Sequence, residues 1–298
     1  MTSERAWSVS DSPRVARLNG VESHGERAYC AGDHGVLLER TGRSQWAAVF
    51  TTGPDGDGRN LYDLSLTDDG RRVWFCGVAG TLGVYDCPTD TVETHHEPYD
   101  STATYRSISA NGPAGEETVH AADDNGEILR GTVDDGQFRV RGVSIPGDGT
   151  AFTEVVDNDR ELFAADVAGA FYHTTDGRHW KRRRLADTPV RAISFDGDNV
   201  LEVADDGTVY EEVRLFGEGS RRPRSIQSGI ASPTELDADG RTIVVVGGGG
   251  QLAVSEAGSP FEREDTGTTR GFYGADVSEN GTVLAVGTGG TIAEGVPQ

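Results

Sequence analysis

Residues 160–180 read RELFAADVAGAFYHTTDGRHW. An apolar run, LFAA, ends at a tight turn, DVAG. A second run, AFYH, ends at a further turn, TDG, with Trp180 three residues beyond Gly177. Gly, Asp and Asn tolerate the positive φ that tight hairpins demand. β-branched and aromatic flanks suit strands. The stretch therefore reads as short strands joined by hairpins. Its first turn recurs along the chain: AGDHG ends at Gly35, CGVAG at Gly80, ADDNG at Gly126, ADVAG at Gly169, VADDG at Gly207, VGGGG at Gly250 and VGTGG at Gly290. The intervals are 45, 46, 43, 38, 43 and 40 residues. A period near this length marks a repeat architecture.

Each turn joins two strands, such as RRVWFC or RTIVVV before it and GVLLER or GQLAVS after it. A further strand lies upstream in each unit: LYDLSL, TYRSIS, AFTEVV, VRAISF, PTELDA, FYGADV. A fourth lies downstream, its entry marked by an aromatic. Trp46, Trp180 and Phe261 stand 11 residues after their unit's glycine, and Phe138 stands 12 after. Four short antiparallel strands repeated in this way form the blade of a β-propeller. No segment holds a helical period over ten residues. The expectation is an all-β, seven-bladed propeller forming one domain over residues 1–298. The seventh unit stops after its third strand, whereas RAWSVSD near the N-terminus carries Trp7 where a fourth strand carries its aromatic. Residues 4–10 are thus expected to supply the outer strand of the last blade, which removes two open sheet edges.

The stretch TTDGRHW resembles the Asp-box turn, S/T-x-D-x-G-x-x-W, of BNR-type propellers, through Thr175, Asp176, Gly177 and Trp180. The wider pattern resembles the repeat of the YCF48-like photosystem assembly-factor propellers. ERTGRSQW (39–46) and VDDGQF (133–138) are degenerate copies. The resemblance implies a structural turn between third and fourth strands, opposite the usual ligand mouth, with a tryptophan packed between blades. It also implies an assembly or adaptor role.

Of the charged side chains, 49 are acidic and 27 basic, a net charge of −22, and Lys181 is the only lysine. This acidic, arginine-for-lysine pattern resembles that of proteins from salt-in halophiles, where molar salt screens carboxylate repulsion over about 3 Å; the alternative is an acidic surface built for a basic partner. Such a surface opposes nucleic-acid binding. Cys30, Cys76 and Cys87 form no C-x-x-C pair, so free, buried thiols are expected. The first residues lack a signal-peptide pattern, and no apolar run is long enough to span a membrane. A cytoplasmic protein is expected, with virion association as the alternative.

Chemistry-bearing patterns are sparse. VGGGG and VGTGG lack the helix and Lys-Ser/Thr pair of a phosphate loop. The turns carry Asp33, His34, Asp123, Asp124, Asp166, Asp205 and Asp206, which a propeller gathers on one face as an acidic crown at the channel mouth. No calcium-loop spacing accompanies them. Polar residues of the first strands mix signs around the channel: Arg17, Asp63, Arg106, Glu154, Arg191, Glu235 and Asp276. They would satisfy one another through salt bridges and water, or else bind a polar ligand. His95 and His96, placed on a strand, would point to opposite faces; with His120, His173 and His179 they are expected at the surface, not as metal ligands. A sialidase-like arginine triad is absent. Lys181, Arg182, Arg183 and Arg184 of one outer strand, with Arg221, Arg222 and Arg224 of the next, offer a basic rim stripe, either for docking or for edge protection. The reading is a non-enzymatic interaction scaffold with protein partners, no cofactor and no metal. The alternatives are a surface or virion module binding a glycan or receptor, where the sequon Asn280-Gly281-Thr282 would matter, and a propeller glycoside hydrolase.

Overall fold

The computed structural model describes residues 5–14, 16–158, 160–183, 188–196, 199–213 and 222–298. The strands form seven four-stranded antiparallel sheets. Six are built from consecutive strands, beginning with Leu18–His24, Arg27–Gly32, Val36–Gly42 and Gln45–Phe50. The helical content described is three short 3-10 turns, and none is long and apolar enough to cross a membrane.

Burial explains the composition of each strand. The second strands, such as Arg72–Gly77 and Thr242–Gly247, are buried along almost their whole length. Blades pack face to face, so both faces of a second strand meet a neighbour, and the sequence shows a continuous apolar run instead of alternation. Outer strands such as Thr91–Thr94 are exposed and polar. The core is accordingly divided. There are seven buried apolar clusters, and each spans one junction between neighbouring blades. The aromatics at the outer-strand entries complete them. Trp46 packs on the junction of blades seven and one, Phe138 on two and three, Trp180 on three and four, and Phe261 on five and six. Cys30, Cys76 and Cys87 are free thiols, the first two buried and the third half-buried against the Tyr29 hydroxyl.

The seventh sheet contains Phe272–Val277, Val283–Gly287 and Thr291–Pro297, and its outer strand is Arg5–Asp11. The register runs from Arg5 opposite Pro297 to Asp11 opposite Thr291. Trp7 packs on the junction of blades six and seven and donates its indole N–H to Glu264 at 2.6 Å. The Arg5 side chain is 1% exposed and is held by Glu256 and Glu264. Both acids belong to blade six, so the N-terminal strand is fastened to two blades. Charge-assisted bonds of this kind are the strong ones.

Removing residues 1–12 should open two sheet edges and empty the Trp7 slot. The truncated protein should aggregate or melt well below the parent. Trp7→Ala alone should cost about 3 kcal/mol, the lower end for a large aromatic because Trp7 is only half-buried. Thermal and denaturant unfolding check both.

Candidate functional site

The first strand of every blade carries the same irregularity. Its pairing with the second strand slips by one residue just after its first paired position. The extra residues are Asn19, Tyr62, Arg106, Thr153, Arg191, Thr234 and Tyr273, and all are at least partly exposed. A β-bulge bends its strand and re-aims the side chain it carries. Repeated seven times, it makes a collar of seven side chains of four kinds, one Asn, two Tyr, two Arg and two Thr, at the end of the channel where the turns lie. The collar is fixed. The Arg106 guanidinium lies 4.6 Å from the Tyr62 ring centre, and Arg17, beside the collar, lies 5.1 Å from that of Tyr273. Both distances suit cation–π attraction. Asn19 donates to Asp33 at 3.1 Å and to the Leu61 carbonyl at 2.7 Å, and Thr234 donates to the Phe272 carbonyl at 2.8 Å.

The turn residues divide into two groups. Asp33 faces Arg17 at 3.4 Å, Asp124 lies 4.0 Å from Arg106, and Asp205 holds Arg191 through two bonds. Asp206 caps its own turn at the Thr208 N–H, and exposed His34 donates its backbone N–H to Asn60. Asp123 and Asp166, by contrast, are each 1% exposed. Asp123 accepts the N–H groups of Asn125 and Glu127; Asp166 accepts those of Ala168 and Ala170 and the Tyr172 hydroxyl. These two are internal fastenings of their turns, not members of an exposed crown, because a buried carboxylate must spend its lone pairs locally.

Nor do the first-strand charges alternate around one ring. Arg17, Arg106 and Arg191 lie at the collar. Below it, a cavity of about 430 Å³ is lined by Glu22, Asp63, Glu154, Glu235, Asp237 and Asp276 and reaches His24, Thr67, Asp68 and Asn111 near the far end. None of the bulge residues lines it. The slip of one residue at each bulge separates the arginines from the carboxylates. The channel-facing period of two then runs Gly20, Glu22, His24 in blade one and Glu235, Asp237 in blade six. Read after the bulge, that period would have found Glu22 and Asp237.

The carboxylates bind the neighbouring blade. Glu22 accepts the Leu66 N–H at 2.8 Å, Asp63 that of Ile108 at 2.9 Å, Asp237 that of Val277 at 2.8 Å, and Asp276 that of Ser23 at 3.1 Å. Serines do the same between blades two, three and four: Ser65 accepts from Ala110, Ser107 from Val155 and Ser109 from Asp157. Gly274 permits the close approach of blades seven and one: a Cβ there would lie 2.9 Å from the Asn19 carbonyl oxygen. Burial raises the affinity of these acids for protons. It pushes Asp63 and Asp237 up to about 6, and Glu22, Glu154, Glu235 and Asp276 well above the ordinary range. Among the described residues, no group of three or more His, Cys, Asp and Glu side chains is arranged to hold a metal ion.

The turn at 174–180 joins Phe171–Thr174 to Lys181–Arg183, at the end of the blade opposite the collar. Its hydroxyl comes from Thr174, not Thr175. Thr174 Oγ1 accepts the N–H groups of Asp176 and Gly177 and donates to Asp176, which accepts those of Arg178 and His179. Thr174 stands two residues before Asp176, the S/T-x-D spacing of the box, so the sequence held the correct choice. Trp180 donates to Ser144 of blade three at 3.2 Å. His95, His120 and His173 differ from the surface expectation, whereas His96 and His179 are exposed as expected. His95 and His96 lie just past their strand. His95 stacks on Trp74 and Phe138, and His96 pairs with Asp55. His120 and His173 are buried, His120 3.1 Å from Asp157. Lys181 and Arg182 are exposed on the outer strand of blade four, Arg182 lying 5.7 Å from the Tyr172 ring centre. The backbones of Arg183, Arg222 and Arg224 occupy outer strands of blades four and five. Arg184 and Arg221 fall outside the described residues.

The fold is that of the seven-bladed propellers. Neither a protein-family profile nor a curated protein sequence matches the chain. Solved structures do. A catalytically inactive virginiamycin B lyase from Staphylococcus aureus with quinupristin is 13% identical, over 98% of this chain and 100% of that one, with a TM-score of 0.79. YCF48 from Cyanidioschyzon merolae is 14% identical over 98% of each chain, with a TM-score of 0.72. YCF48 bound to D1 peptide is 14% identical over the whole of both chains, with a TM-score of 0.76. At such identities the likeness is one of fold.

Two predictions follow from these geometries. Asp176→Ala should lower the melting temperature while leaving any ligand of the collar bound with unchanged affinity. Calorimetry with a binding assay separates these effects. The channel acids should also make stability fall with rising pH. Their folded pKa values lie above those of the unfolded chain, so between about pH 4.5 and the folded values the ring holds more protons than the unfolded chain. Stability from this source is complete below that window and is lost as pH rises through about 6 for Asp63 and Asp237. Asp63→Asn and Asp237→Asn should flatten the slope of melting temperature between pH 5 and 8.

Proposed function

We propose that this protein is a non-enzymatic scaffold that docks a protein segment on the bulge collar, in a host whose cytoplasm is rich in salt. The collar carries the reading. Seven inner-strand bulges on a rigid ring present Asn19, Tyr62, Arg106, Thr153, Arg191, Thr234 and Tyr273 at one end of the channel. Tyrosine and arginine in fixed geometry are the side chains on which protein interfaces concentrate their energy. Their stacks on Tyr62 and Tyr273 hold Arg106 and Arg17 in place before any partner arrives. Preorganisation of that kind removes part of the entropic cost of binding. YCF48 bound to D1 peptide gives a peptide-bound instance of the same fold. Four of the six carboxylates below the collar, Glu22, Asp63, Asp237 and Asp276, support a scaffold over an enzyme, because they accept backbone N–H groups of the next blade. Lys181 and Arg182, exposed on the outer strand of blade four, offer a second, separate surface for contact.

A photo-crosslinking residue placed at Tyr62 should capture a host protein at about 2 M salt, where only close contacts survive screening. The same residue at Arg178, on the opposite face, should not. Capture from position 178 alone, or a glycan displacing the crosslink at position 62, would overturn the reading.

A further inference from the structure

Five large hydrophobic side chains are exposed among the described residues, and the three most exposed are Tyr99 at 68%, Ile145 at 57% and Val167 at 48%. All three stand on connections at the collar face. Tyr99 belongs to the link from blade two to blade three, whose Glu97 N–H bonds the Gly80 carbonyl of a collar-face turn. Ile145 begins the link from blade three to blade four. Val167 lies in the turn of blade four and donates its N–H to the Ala151 carbonyl at the end of that same link. The Pro98–Asp100 turn of the first link packs against the outer strand of blade three, Gln137–Ser144, from whose end the second link leaves, so the three residues follow one another in an arc around this face over blades two to four. Val9 and Val92 lie on outer strands, apart from it.

The backbone under Tyr99 is strained. Glu97, Tyr99 and Asp100 have φ of 49°, 62° and 57°, a region that residues with a Cβ avoid. Pro98 between them is buried, which fixes the loop and turns the tyrosine outward. Strain of this sort persists where the surroundings enforce it and gathers at binding sites. Carboxylates accompany the arc. Glu97 and Asp100 are exposed and form no ion pair among the described residues, and Asp148 stands exposed three residues after Ile145.

We infer that this arc is a docking surface for a segment of a partner protein that carries both bulky apolar and basic side chains, its apolar residues covering Tyr99, Ile145 and Val167 and its cations meeting Glu97, Asp100 and Asp148. The inference rests on the collar face being the docking face and names the chemistry of what docks there. Charge complementarity selects the occupant: a second copy of this chain, at a net charge of −22, would bring like charge to the arc.

The probe is a phage-displayed library of random 15-residue peptides panned on the folded protein. Enriched clones should combine arginine or lysine with leucine, phenylalanine or tryptophan. Synthetic versions should bind the triple variant Tyr99→Ser, Ile145→Ser, Val167→Ser at least tenfold more weakly, and Asp100→Lys should weaken them to a similar extent. Tyr62→Ala with Arg106→Ala should also weaken them, though less than the triple variant does, and Arg178→Ala on the opposite face should change their affinity less than twofold. The collar arm separates failure of the arc from failure of the collar: peptides lost with the collar variant and kept by the triple variant would leave the collar as the site and overturn the arc. Enrichment of acidic peptides, no enrichment, or a self-association in sedimentation that the triple variant abolishes would overturn it as well. Melting temperatures of all variants confirm folding, and single substitutions at Tyr99 or Ile145 replace the triple variant if it unfolds.

Discussion

At five of the seven blade junctions a backbone N–H of one inner strand finds its acceptor on a side chain of the inner strand before it, and the registration of the ring depends on these bonds. Inner strands of neighbouring blades converge on the channel but do not pair as a sheet, so their channel-side amides have no ladder partner. Buried amides without acceptors are costly. Glu22, Ser65, Asp63, Ser107, Ser109, Asp237 and Asp276 supply the acceptors. The apolar junction clusters set how strongly blades adhere. The amide-to-side-chain bonds set their height and rotation relative to one another. That registration puts the seven bulges at one level and makes them a collar instead of a scatter of irregularities.

The same constraint accounts for the channel's charge. A carboxylate accepts an N–H more strongly than a hydroxyl does, but confining several together raises their proton affinity. The ring resolves the conflict partly by using serine at blades two and three and glycine at Gly20 and Gly274, where the inner strands approach most closely. The arginines that would neutralise the acids are instead held at the collar by tyrosine rings and turn aspartates. The collar side chains and the stabilising carboxylates thus occupy different layers of one strand, separated by the bulge.

Much of the fold was legible in the sequence, because hairpin glycines and apolar strands recur at a nearly constant interval. The aromatics at four outer-strand entries, Trp46, Phe138, Trp180 and Phe261, were legible for the same reason, and so was Trp7 as the missing member of the last sheet. The site was less so. A bulge shifts side-chain facing by one position, and no residue type marks it, as Asn19, Tyr62 and Thr153 show. Arg106 and Asp63 therefore looked equivalent in sequence while standing in different layers. Burial of Asp123 and Asp166 was hidden too, since aspartate suits an exposed turn and an internal one alike. Thr174 was available from spacing alone.

The pairing of Arg5–Asp11 with Thr291–Pro297 has a consequence for how the chain reaches this state. Nearly the whole polypeptide separates the two partners, and closing so long a loop costs about 5 kcal/mol of chain entropy. Such contacts form late, after local hairpins have assembled. On the ribosome, the N-terminal strand is made first and must wait unpaired until the final strand has emerged. During that interval the growing arc of blades holds an open edge, which the N-terminal strand covers only when the ring closes.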